Sequence, residues 1–205
     1  MVTGRRGGER RDEAGLRPLS RARVRASLRR MPPELSASQS GLRPAAVLLP
    51  IVERAEPYAI FTRRTEDLPS HAGQICFPGG RYHPDDETLI RTALREMEEE
   101  IGLSPDQVEI AGFLDSYETL NTGFAILPVV GYVPADFTLT VNPREVAEVF
   151  EAPLAYILDP QNHALKSVER DGIMREFYAI DFSGHTIWGA TAAMIVNLSE
   201  RLGLR

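Results

Sequence analysis

The densest chemistry in this chain is the run Arg95-Glu96-Met97-Glu98-Glu99-Glu100. Placed on a helix that advances roughly 100° per residue from Leu89, the side chains of Ala93, Met97, Ile90, Ile101 and Leu94 fall on one apolar arc. Glu100, Glu96 and Glu99 fall beside that arc at about 20°, −20° and −80°, and Glu98 falls on the opposite, solvent side. Three carboxylates at the edge of a buried face repel one another and resist ionisation when partly desolvated. A cation removes that conflict. Hard divalent ions with oxygen ligands, Mg²⁺ first and Mn²⁺ next, suit three carboxylates that leave positions open for water and phosphate oxygens. Arg95, next to the cluster, can hold one glutamate by a bidentate bond. Taken alone, an acid-rich helix is also an ordinary solvated surface, so the pattern by itself leaves both readings open.

The flanking residues predict a helix over Asp86–Ile101, with Asp85 or Asp86 as its cap, Glu87 in its first turn, and Gly102 and Pro105 as its stop. Around it lie β-rich apolar runs at Ala46–Val52, Tyr58–Thr62, Gln74–Phe77, Val108–Leu114 and Ala125–Val133. A second helix is expected over Ala190–Leu202, short helical turns around Pro143–Phe150 and Pro153–Leu158, and a hairpin from Ala164–Arg170 to Arg175–Phe182. Helices packed on a mixed β-sheet make an α/β sandwich. Residues 1–16 hold almost no apolar side chains and read as an Arg-rich disordered tail, 17–43 as a basic helix and linker, and 44–205 as the domain proper. For the N-terminal region a solvated tail, an organelle presequence and a polyanion-binding arm all fit the composition.

Composition narrows the partners. Residues 1–30 carry ten arginines against three acids, +7, so the rest of the chain stands at −13 to reach the total of −6. An acidic body disfavours general attraction to nucleic acid, and a phosphate-bearing substrate would need cations or local arginines to approach it. No apolar run is long enough for a membrane span and no secretory signal is visible, so a cytoplasmic location is expected. The single cysteine, Cys76, excludes an internal disulfide and a Cys-based zinc cluster, and it reads as a core thiol. A homodimer is compatible with these features.

From Glu87 to Leu103 the chain resembles the Nudix box: Glu, seven residues, Arg-Glu, an apolar residue, any residue, Glu-Glu, any residue, Gly and an apolar residue. Six residues separate Gly80 from Glu87 where five are usual, which makes the loop one residue longer. The resemblance implies a Nudix-type α/β/α sandwich and substitution by water at phosphorus in a nucleoside diphosphate derivative. It also implies Glu96, Glu99 and Glu100 as ligands of Mg²⁺ or Mn²⁺, the Gly80 carbonyl as a further ligand, and Arg95 as their orienting partner. Glu145 resembles the downstream glutamate that in several such enzymes binds metal or activates water, with Glu148 as the competing candidate.

The stretch Ile60 to Gly80, including Thr62-Arg63-Arg64-Thr65, His71 and Phe77-Pro78-Gly79-Gly80, resembles the motif of the coenzyme A pyrophosphatase branch of that family. It departs by Thr65 for Ser, Ile75 for Val and Pro69 for Arg. What this implies is a small-molecule substrate, coenzyme A or a related nucleotide, with Arg64, His71, Gly79 and Gly80 at the substrate. Arg63 and Arg64 alternate across a strand, so at most one of them should face it. The rivals are a Nudix pyrophosphatase acting on ADP-ribose, a dinucleotide or a nucleoside triphosphate, and a non-catalytic nucleotide sensor. A sensor commonly lacks glutamates of the box, and all are present here.

Overall fold

The computed structural model describes residues 19–33, 41–67, 71–119, 122–170 and 172–205. The expected tail 1–16 and Pro69 lie outside them. In chain order the elements are helix α1 (Arg21–Ser27) and strands β1 (Arg43–Val52), β2 (Tyr58–Arg64), β3 (Ile75–Cys76) and β4 (Gly79–Arg81). Helix α2 (Leu89–Ile101) follows, then β5 (Glu109–Phe113), β6 (Tyr117–Thr119), β7 (Phe124–Val133) and β8 (Val146–Pro153). Helix α3 (Leu154–Leu158), strands β9 (Ala164–Arg170), β10 (Ile173–Phe182) and β11 (His185–Trp188), and helix α4 (Ala190–Arg201) complete the chain.

Strands β1 to β8 form one mixed sheet in which β1 runs parallel to β7 over its whole length while the other pairs are antiparallel. β1 is central and nearly all apolar because both of its faces are covered. Its alternation separates two cores. Leu49 and Ile51 face α1, α3 and α4 together with Phe61, Val130 and Leu198; Ala46, Leu48 and Val52 face α2 together with Ala93, Met97 and Ile101. Helices on both faces of a mixed sheet give the expected α/β/α sandwich. Pro50 sits in β1 at no cost to the ladder: the Leu48 N–H points away from β7 to the Pro78 carbonyl, and Pro50, two residues on, would direct its missing donor to that same side.

β9, β10 and β11 form a separate antiparallel sheet against α4. Helix α1 belongs to the main core, since Val24 and Leu28 are buried there and the Arg29 and Phe113 backbones exchange two hydrogen bonds. Its arginines pair with the acidic body rather than standing free: Arg25 with Glu109, Arg29 with Asp115, and Arg21 with Glu53. Among the described residues no helix is long and apolar enough to cross a membrane.

One element differs in kind. The stretch expected as a helical turn at Pro143–Phe150 is a turn at Asn142–Glu145 followed by β8, paired along β2. Val146, Val149 and Phe150 have helical spacing, but they are β-branched and aromatic, and cross-strand pairing decides the conformation. The short strands β4, β6 and β11 carry too few residues to show a period.

Candidate active site

The structure brings the loop before α2, α2 itself, the end of β2 and the turn before β8 to one place. β4 lies antiparallel to β1, with Ala46 opposite Gly80 and Val47 opposite Gly79. A side chain at Gly79 would strike the Ala46 carbonyl, and one at Gly80 would strike the Glu96 carboxylate. Two glycines here let the backbone lie against β1 and let Glu96 lie on the backbone.

The helix starts later than the sequence suggested. Pro84–Asp86 is a short 3₁₀ turn, Thr88 is the N-cap of α2 with its side chain accepting the Arg91 N–H, and Glu87 is exposed with φ 60°. Neither Asp85 nor Asp86 caps α2, and Glu87 is outside its first turn. Asp86 is buried and receives Arg95 Nε at 2.7 Å and Nη2 at 3.1 Å, Thr92 Oγ1 at 2.8 Å and the His83 N–H at 3.0 Å. Those donors, Arg95 foremost, hold its carboxyl well below the usual carboxylate range against the opposing effect of burial. Counted from Gly80, Asp86 follows after the usual five residues. Eight residues then separate Asp86 from Arg95.

Anchored on Asp86, Arg95 reaches Glu99 Oε2 at 2.9 Å, Glu96 Oε1 at 2.8 Å and the Arg81 carbonyl at 3.3 Å. Its contacts are thus spread over two of the glutamates. Glu96 is mostly buried, and burial pushes its carboxyl up, with Arg95 opposing. Glu99 is over half exposed, its side chain 54% accessible. Glu100 is enclosed at 1% exposure, its Oε2 has no hydrogen-bond partner, and Arg64 Nη1 stands 3.6 Å from its Oε1. Burial pushes its carboxyl up to about 8, with Arg64 and the Gly79 backbone amide opposing and Glu96 and Glu145 adding to the rise.

This donor set fits a hard divalent cation. The oxygens of Glu96, Glu99 and Glu100 and the Gly80 carbonyl are the chemistry such an ion takes, and the unpartnered Glu100 oxygen is a buried acceptor with a ligand still to find. Among the described residues no three His, Cys, Asp or Glu side chains are gathered in ligating arrangement. Arg95 draws Glu96 and Glu99 to itself and Arg64 faces Glu100, so arginines here balance the charge.

At the end of β2 the register shifts between Arg63 and Arg64, a bulge that aims the two side chains apart. Arg64 turns in to Glu100, with its Nε unpartnered, whereas Arg63 Nε donates to Glu148 at 2.9 Å. Glu148 also meets His185 Nε2 at 3.2 Å, and the His185 ring stacks on Phe150 at 3.9 Å. Glu148, the rival of Glu145, is thus engaged elsewhere. Glu145 lies in the field of both Glu96 and Glu100 and accepts from Asn142 Nδ2 at 3.4 Å. The Thr65 hydroxyl donates to the Arg144 carbonyl at 3.2 Å, a bond that serine makes equally, so that departure keeps the contact. His71, with φ 60°, is exposed and bonded to Gln74 at 2.7 Å. Cys76 is half-buried beside Thr62, and its thiol is pushed up to about 11, chiefly by burial, with the field of Glu100 adding and Arg64 opposing. The part of Asp86 as the anchor of Arg95, and Asn142 altogether, escaped the sequence reading. The five-residue spacing from Gly80 could have found the first, and no sequence signal marks the second.

The family model described as the NUDIX domain matches residues 41–171. A Nudix hydrolase named NudL from Yersinia pestis (strain Pestoides F) is 40% identical over 162 residues, covering 79% of this chain and 81% of that protein. Among solved structures, a Caenorhabditis elegans Ap4A hydrolase binary complex matches at TM-score 0.47 and 17% identity over 54% of this chain and 80% of that one. The NUDIX domain of Shewanella oneidensis NrtR, complexed with ADP ribose, matches at TM-score 0.44 and 18% identity over 57% and 76%. These two likenesses are too loose to bear on substrate. The family-model match, the sequence relationship and the glutamate helix agree that this chain belongs to the Nudix hydrolase family.

Proposed function

We propose that this Nudix hydrolase cleaves the diphosphate linkage of coenzyme A or an acyl-coenzyme A, giving 4′-phosphopantetheine, or its acyl form, and adenosine 3′,5′-bisphosphate. The observation that carries the reading is the stretch Ile60 to Gly80, whose sequence resembles the coenzyme A pyrophosphatase branch and whose Arg64 lies beside Glu100 at the end of β2. A bound Mg²⁺ or Mn²⁺, which Nudix hydrolases generally use, supplies charge neutralisation on the phosphate oxygens and a more acidic water. Glu96, Glu99, Glu100 and the Gly80 carbonyl would hold it, and Arg95 orients Glu96 and Glu99. Glu145 takes a proton from water as the water oxygen bonds to one phosphorus, and the bridging P–O bond breaks so that the second phosphate leaves. Glu99 is the alternative base. Arg64 gives its guanidinium to a substrate phosphate, and Gly79, Gly80 and His71 line the approach.

Pro69, where the branch carries arginine, favours a second reading, a nucleoside diphosphate derivative without a 3′-phosphate, such as ADP-ribose or a dinucleotide. Comparison of kcat/KM for coenzyme A, dephospho-coenzyme A, ADP-ribose and a dinucleoside polyphosphate separates the two. Coenzyme A is expected to lead. A higher value for any substrate lacking the 3′-phosphate would overturn the assignment.

A further inference from the structure

One residue ties the turn that carries Glu145 to the glutamate helix. The Asn142 N–H donates to the Glu100 carbonyl at 2.9 Å, and the Asn142 carbonyl accepts the N–H groups of Glu145 at 3.2 Å and Val146 at 3.0 Å. Its side chain divides its duties. Oδ1 accepts the Arg144 N–H at 3.2 Å and so shapes the turn, while Nδ2 donates to Glu145 Oε1 at 3.4 Å. From the far side the Thr65 N–H holds the Glu145 carbonyl at 3.0 Å. The Glu145 backbone is thus fixed between α2 and the end of β2, and its carboxylate has one side-chain donor among the described contacts. A carboxylate on such a short tether still has rotamers that point away from the site.

We propose that Asn142 is a positioning residue that aims the Glu145 carboxylate at the Glu96–Glu100 site through its side-chain amide. The inference rests on the reading of Glu145 as the base and extends it to the residue that controls its direction. Asn142→Asp isolates this duty. An aspartate keeps the acceptor for the Arg144 N–H but replaces the donor to Glu145 with a repelling carboxylate. A residue that only shapes the turn would tolerate that exchange.

The experiment measures kcat, KM and the thermal midpoint for Asn142→Asp, Glu145→Gln and the double variant, on whichever nucleoside diphosphate derivative the parent turns over fastest. Asn142→Asp is expected to lower kcat by about tenfold or more with KM and midpoint near the parent's. In the Glu145→Gln background it is expected to cost nothing further. If Asn142→Asp melts early, Asn142→Ser gives the same comparison, since its hydroxyl accepts from Arg144 and does not reach Glu145. Parental kcat in Asn142→Asp, or an equal loss with and without Glu145, would overturn the inference while leaving Glu145 as the base. Parental kcat in Glu145→Gln would overturn both.

Discussion

Among the described residues Glu100 is the carboxyl whose ionisation its surroundings change most, and this makes its contribution to stability testable. Unfolded, it titrates near the ordinary value of about 4.3. Folded and without metal, it holds its proton to about 8. A carboxyl whose pKa is raised on folding favours the folded state at low pH, and that advantage is lost as pH rises from the unfolded value through the folded one. In chelator, the thermal midpoint should therefore fall between pH 5 and pH 8 by more in the parent than in Glu100→Gln. An equal fall in both would show that the carboxylate is not the group responsible. Asp86 has the opposite sign, its stabilisation being present above the usual carboxylate range and lost in acid. Because Arg95 keeps some solvent contact, Asp86→Asn should cost about 2 kcal/mol by denaturant melt, less than a fully buried pair, and should lower kcat by releasing Arg95. A neutral melt would remove Asp86 from its anchoring role. The glutamates were legible because a helical period sorts them onto one edge. Asp86 was hidden because it precedes the helix, where no period applies, and because Glu87 sits at the spacing counted back from Arg95.

At the scale of elements, α2 is set by its ends. Gly102 terminates it at φ 70°, and a Cβ there would meet the Thr140 side chain at 2.7 Å. The Thr140 and Asn142 N–H groups then close the last carbonyls of the helix at Ile101 and Glu100. Gly102→Ala should therefore destabilise by about 1–3 kcal/mol and loosen the segment that leads to Glu145, so that kcat falls along with the melting midpoint. A destabilised variant with full kcat would separate the stop from the catalytic turn. The glycine stop, the long strands and the β9–β10 hairpin were all readable from local signals. β8 was not, since its Val146, Val149 and Phe150 carry a helical period and only their pairing with β2 makes them a strand. The alternation of Arg63 and Arg64 across β2 was readable from the strand alone, whereas the register shift between them belongs to the pairing with β8.

Across the whole molecule, the two cores divide the work. One fixes α2 against β1, while the other joins α1, α3 and α4 to the opposite face. Helix α1 contributes Val24 and Leu28 to the second of these. Removing residues 1–16 should leave turnover nearly unchanged, whereas a deletion extended through Leu28 takes Val24 and Leu28 out of the core and should cost about 1.5–3 kcal/mol for each. A melt that both deletions leave unaltered would contradict the packing of α1. The proposed metal-dependent attack of water on a coenzyme A diphosphate is measured by turnover in ¹⁸O-labelled water with Mg²⁺ or Mn²⁺ and mass analysis of the products. The expected products are 4′-phosphopantetheine and adenosine 3′,5′-bisphosphate with the label on one phosphate, and turnover should be abolished by chelator and reduced by orders of magnitude in Glu100→Gln. Full turnover in chelator, or coenzyme A recovered intact while other substrates are cleaved, would contradict it.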